Sequence, residues 1–168
     1  MISERRWRMI GRRKILRWGL IVMMGSAVLI GGARATETKM EVKTIHSAFP
    51  FSDTVEKLRT TLEAKGFTIF AAIDQRQAAQ SVGLDMPPTT LLIYGNPKGG
   101  TPLMLAAPDF ALELPLKLLV REDAGSKVLV VYTPAAALEG RHGLPAGLAA
   151  KLGGAEPAIA AAVGAPSN

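Results

Sequence analysis

The sequence predicts an α+β fold: a single compact domain with a mixed sheet of about five strands and helices packed on it. Three observations carry this. Short apolar runs rich in β-branched and aromatic residues, such as "FTIFAAID", "TTLLIYG" and "SKVLVVYT", alternate with segments of helical spacing. Two of the apolar runs, "LPLKLLVRED" and "SKVLVVYT", are joined only by Glu122-Asp123-Ala124-Gly125, which makes a hairpin over residues 114–133. No internal repeat divides the chain, so the elements form one domain rather than two.

Taken in order, Val42 to Ile45 start an apolar alternation suited to a first strand. A helix follows, with Ser52 or Asp53 as its cap and Glu56 in the capping-box position. Val55, Leu58 and Leu62 lie on one face, and Gly66 ends it. Phe67–Asp74 is apolar on both faces and reads as a central strand. Gln75 to Val82 is a short helix stopped by Gly83, and Pro87-Pro88 separates it from a third strand, Thr89–Gly95. Thr101-Pro102 then opens a helix, since threonine caps well and proline loses nothing at the first helical position. In the hairpin, Leu114, Leu116, Leu118 and Val120 face inward, with Lys117 and Arg121 outward. Thr133-Pro134 starts the alanine-rich helical pieces, broken by Gly143, Gly153-Gly154 and Pro157.

The formal charge of +6 would suit a nucleic-acid partner if it were spread over the folded part. It is not. Residues 1–35 hold eight basic side chains and one acid, which leaves 12 basic and 13 acidic residues for the rest. A near-neutral body lacks the electrostatic footprint for DNA or RNA, and nucleic acid is dropped as a partner. The first stretch reads instead as a signal peptide over residues 1–35: a basic start, an apolar run from Trp18 to Ala33, and Ala33-Arg34-Ala35 as the cleavage pattern. Arg12-Arg13-Lys14-Ile15-Leu16-Arg17 resembles a twin-arginine signal, with general secretion as the other route. The 16-residue apolar run is shorter than the roughly 20 residues of a spanning helix, so the membrane enters only through an uncleaved leader. The expectation is a periplasmic or otherwise extracytoplasmic protein. Residues 36–41 form a tether, 42–152 the domain, and 153–168 a low-complexity, frayed tail. The chain has no cysteine, so the core holds the fold without disulfides.

Catalytic machinery is sparse. His46 and His142 are the only imidazoles, and no G-x-S-x-G elbow follows the leader. Zinc with cysteine or paired histidine ligands is excluded by count, no EF-hand pattern occurs, and nothing names a cofactor or metal. The weak catalytic candidates are Asp74, at a strand end, Asp109, before the hairpin, and His142; Glu113 stands beside Asp109 at the entry to the hairpin. For ligand binding, "GNPKGGT" offers glycines, a cation and the start of a helix, a combination that favours a small anionic ligand. Its contacts would be Asn96, Lys98, Gly99, Gly100 and Thr101, with Arg141 or His142 as a second cation. A nucleotide-hydrolysing P-loop is rejected, because no lysine precedes Thr101 directly. A tight structural turn is the competing reading of the same glycines.

The blocks "GFTIFAAIDQRQAAQSVGLDMPPTTLLIYGNPKGGTPLM", "LPLKLLVREDAGSKVLVVYTP" and "RHGL" together resemble the domain of unknown function family 302 over about residues 42–150. Where that family has histidine after its Ile-Asp pair this chain has Gln75, and Tyr94 replaces a phenylalanine. The resemblance implies a compact α+β domain, leaves room for a homodimer, and brings no activity. Two function classes remain open: an extracytoplasmic binding or interaction module without catalysis, and a small hydrolase or isomerase using Asp74, Lys98, Asp109 and His142 near the loop.

Overall fold

The computed structural model describes residues 41–164. The twin-arginine pattern, the apolar run and Ala33-Arg34-Ala35 lie outside the described residues. Five strands form one sheet: β1 (Lys43–His46), β2 (Thr68–Asp74), β3 (Thr89–Gly95), β4 (Leu116–Glu122) and β5 (Val128–Tyr132). Between and after them come α1 (Phe51–Ala64), α2 (Gln75–Gln80), α3 (Pro97–Ala106) and α4 (Glu156–Ala162). Short 3₁₀ pieces occupy Pro108–Leu112, Ala135–Leu138, Arg141–Gly143 and Ala149–Ala155.

The α+β class and the five strands are as the sequence predicts. The strand order is β1-β5-β4-β3-β2, and every neighbouring pair is antiparallel, so the sheet is not mixed. The reason is in the connections. Those through α2 and α3 return at the end of the sheet they left, rather than crossing it as a parallel pair requires.

Strand β2 lies at an edge, paired only with β3, where its apolar content suggested a central place. Its ladder is interrupted between Ile69 and Ala71, and bulges of this kind concentrate at sheet edges. The skipped residue, Phe70, keeps 52% of its surface exposed, so an apolar run here does not mean burial on both faces.

Alternation along β3 and β4 puts Leu92, Tyr94, Leu118 and Val120 on one face, completed by Val130 and Tyr132 of β5. Directly opposed residues share a face, and Leu92, Leu118 and Tyr132 stand in one such row across three strands. Leu58 and Leu62 of α1 cover this face together with Ile159 and Val163 at the chain's far end, all four with no exposed surface. The stretch 153–163, which composition alone marks as tail, thus contributes Ala155, Ala158, Ile159 and Val163 to the core: alanine-rich sequence packs closely when a few large residues recur at helical spacing. A second apolar cluster gathers Leu103, Phe110, Leu138, Leu144, Ala149 and Leu152 beneath α3 and the 3₁₀ turns.

Helix α1 starts one residue before the expected cap. Pro50 occupies the N-cap position without a side-chain bond, and Ser52 donates to Asp53 instead. Thr54, fully buried, donates its hydroxyl back to the Pro50 carbonyl, which fixes this entry turn. In the hairpin turn, Asp123 Oδ1 accepts from the backbone N–H groups of Gly125 and Lys127 at 2.8 and 3.0 Å. These bonds, that from Lys127 first, outweigh the opposing effect of desolvation and hold its carboxyl below the usual range.

Candidate functional site

Helix α3 begins at Pro97, five residues before the expected first helical residue Pro102, and Asn96 is its cap. Asn96 Oδ1 accepts from Lys98 N at 3.0 Å, and the Asn96 carbonyl accepts from Gly99 N and Gly100 N, both at 2.9 Å. Pro97 has no N–H to satisfy. The first-turn donors expected to await an anion are therefore bonded within the chain. Gly99 and Gly100 take helical backbone angles with no positive φ, so they form neither a turn nor a flexible loop. The signal was legible: Asn96-Pro97 is the same cap-then-proline pattern as Thr101-Pro102, and asparagine caps better than threonine.

What these glycines do is leave room. An open-sided cavity of about 180 Å³ lies where β3 ends, α3 begins and β4 enters the sheet. Gly95, Gly99 and Gly100 lie along it, while Phe67, Phe70 and Met104 supply apolar wall. Leu114, Pro115, Leu116 and Leu152 complete that wall on the β4 side. The Phe70 ring comes within 3.4 Å of where a β-carbon on Gly95 would stand. Phe67 is fixed from behind by an edge-on contact with Tyr94, ring centres 5.8 Å apart. The polar side chains among the lining residues are Asn96, Thr101 and Lys151.

Of the residues singled out for binding, the structure brings Asn96, Gly99, Gly100 and Thr101 to this cavity and leaves Lys98 and Arg141 away from its lining. Lys151 takes the place expected of Lys98. Nothing in the sequence marked it, because it sits in the alanine-rich 3₁₀ segment Ala149–Ala155, and only the fold brings it to α3.

Arg141 and His142 serve a different arrangement. Glu113 Oε1 accepts from Arg141 Nη1 at 3.1 Å and contacts His142 Nε2 at 3.0 Å. The two basic residues lie in a single 3₁₀ turn in which His142 adopts a left-handed conformation, φ 51. Burial alone would raise the Glu113 carboxyl, yet the hydrogen bonds from His142 and Arg141, with their charges, outweigh it and hold the group below the ordinary carboxylate range. The imidazole–carboxylate contact could orient a base. Asp74 is not part of it: its Oδ1 caps α2 by accepting from Gln77 N at 2.9 Å. Asp109 is exposed in the 3₁₀ turn Pro108–Leu112. Among the described residues no cluster of three metal-ligating side chains occurs.

Two tyrosines lie deep beneath the sheet's covered face. Burial, with Glu156 close by, pushes the Tyr132 phenol up to about 12, and burial raises Tyr94 further still. Neither can act as a base near neutrality.

The antiparallel sheet covered on one face by α1 and α4, with an apolar cavity at one end, defines a two-layer α+β domain. The chain belongs to the family described as Domain of unknown function DUF302, whose model matches residues 43–162. A crystal structure of an uncharacterized conserved DUF302 protein from Bacillus stearothermophilus shares the fold, with a TM-score of 0.64 and 23% identity over 74% of this chain and 97% of that one. A stretch of 101 residues, 60% of the chain, is 35% identical to the Fluoride-specific ion channel FluC 1 of Brucella suis and to that of Brucella abortus. The chain spans about two fifths of the length of these curated relatives, 40% and 37%. No helix among the described residues is long and apolar enough to cross a membrane.

Proposed function

We propose that this protein is an exported binding module, without catalysis of its own, that holds a small ligand in the cavity between α3 and the entry to β4. One observation carries the reading: the cavity is concave, mostly apolar and edged by a few polar side chains, the common composition of a small-molecule site. Export rests on Arg12-Arg13 and Ala33-Arg34-Ala35. Fluoride conduction, named for the Brucella relatives, is not part of the proposal, since the chain matches only a minor share of each and the cavity wall is apolar.

The second reading, a small hydrolase or isomerase, has the Glu113–His142 contact in its favour. It lacks a nucleophile hydrogen-bonded to that imidazole among the described residues. A ligand-observed NMR screen of small apolar and amphipathic molecules against the purified protein tests the first reading. Saturable binding, lost when Gly100→Leu fills the cavity, supports it; a screen with no binder, or binders indifferent to Gly100→Leu, overturns it. Turnover abolished by His142→Ala would favour the enzyme.

A further inference from the structure

We infer that the cavity takes a ring-sized apolar monocarboxylate, its ring among Phe67, Phe70, Leu114 and Leu116 and its carboxylate at Lys151, Thr101 and Asn96. This rests on the ligand-binding reading above and names the chemical class that reading leaves open.

Size comes first. A cavity of about 180 Å³ is close to the roughly 150 Å³ of an apolar cavity known to accept benzene, so a single six-membered ring with one small substituent fits. The walls agree with a ring. Phe70 stands on the bulge of β2, half exposed, and a flat apolar guest would cover it. Covering that ring would gain hydrophobic free energy that the empty molecule forgoes.

Charge decides the substituent. The lining residues include one cation, Lys151, and no acid. None of the ion pairs among the described residues involves Lys151. Its side chain is at the exposed rim, where pairing with a carboxylate does not require full desolvation of either charge. The other polar groups offer donors. Asn96 uses its Oδ1 as the α3 cap, which leaves the Nδ2 hydrogens to give. Thr101 is exposed, and its hydroxyl has no hydrogen bond among the described residues that would commit it. A guest with acceptors at one end of an apolar body offers these donors a partner; a neutral hydrocarbon offers none, and a cationic guest is repelled by Lys151.

The experiment compares benzoate with benzyl alcohol, which share the ring and differ in charge, by calorimetry on the wild type, on Lys151→Met and on Phe70→Ala. The expected result is benzoate binding about tenfold more tightly than the alcohol, the equivalent of about 1.4 kcal/mol. Lys151→Met should weaken benzoate far more than the alcohol and so erase the preference, and Phe70→Ala should weaken both probes. Both substitutions are at exposed positions, and a circular dichroism melt confirms folding. Equal binding of both probes would overturn the carboxylate assignment and leave the pocket reading intact. Binding of neither probe, or a benzoate preference that survives Lys151→Met, also overturns the inference, while the pocket reading is decided separately by its own screen.

Discussion

Glu113 and His142, 29 residues apart in sequence, meet at 3.0 Å, and this contact ties the 3₁₀ turn Arg141–Gly143 to the strand entry at β4. The turn has no side-chain cap, two of its three residues, His142 and Gly143, are at positive φ, as is Gly140 just before it, and the Glu113 carboxylate holds it from outside.

Glu113→Gln should therefore destabilise the protein at neutral pH by about 1–2 kcal/mol, since hydrogen bonds to charged groups contribute about 1.5–3 kcal/mol and this site is partly solvated. The effect has a pH sign. The Glu113 carboxyl is held below its ordinary value, so its contribution is present above the ordinary carboxylate range and is lost as pH falls through the lowered folded value. Urea denaturation of the two proteins should show a gap at neutral pH that closes in acid. A gap that persists or widens in acid would mean the pair is not held by charge.

Leu118 and Val130 lie on neighbouring strands with no exposed surface, packed under α1 and α4. Leu118→Ala should cost about 2–4 kcal/mol through lost burial and the cavity left behind, and Val130→Ala somewhat less. Thermal or chemical denaturation measures both, and a cost near zero would place the wrong face of the sheet inward.

Local signals were enough for β3 and the hairpin, because strict alternation and a short turn determine both pairing and face. They failed where the outcome depended on partners distant in sequence. β2 has the composition of a central strand, but strand order depends on how β1 and β5 pair, which no window around Phe67–Asp74 contains. Ile159 and Val163 sit in a stretch of alanines whose value appears only when α1 lies opposite. At the site, the glycines of "GNPKGGT" were found, but their meaning was set by Leu114 and Lys151, brought there by the fold.

Asn96→Ala removes the side chain that accepts from Lys98 N. The loss of a cap of this kind costs about 1 kcal/mol, and Asn96→Asp, which can still accept, should recover most of it. Melting temperatures of the three proteins check the order wild type, Asp, Ala. If alanine matches the wild type, the start of α3 is held by its packing and not by its cap.

Gly99 and Gly100 are adjacent helical residues of one sequence type, yet the structure separates them. A β-carbon on Gly99 would meet nothing within 4 Å, while one on Gly100 would stand 3.3 Å from Leu114 Cδ1. Both replace the weakest ordinary helix former with the best, a change worth up to about 1 kcal/mol in an unstrained helix. Gly99→Ala should therefore raise the stability by about 0.5–1 kcal/mol. At Gly100 the same gain is opposed, because Leu114 is part of the cavity wall and of the cluster around Leu103 and Phe110 and has to give way by a few tenths of an ångström. Gly100→Ala should be neutral or destabilising, and combining it with Leu114→Ala should restore the helix gain relative to Leu114→Ala alone. That double-mutant cycle, read by urea denaturation, isolates the contact. Equal effects of alanine at positions 99 and 100 would show that Leu114 does not press against this helix, and the wall of the cavity would have to be redrawn.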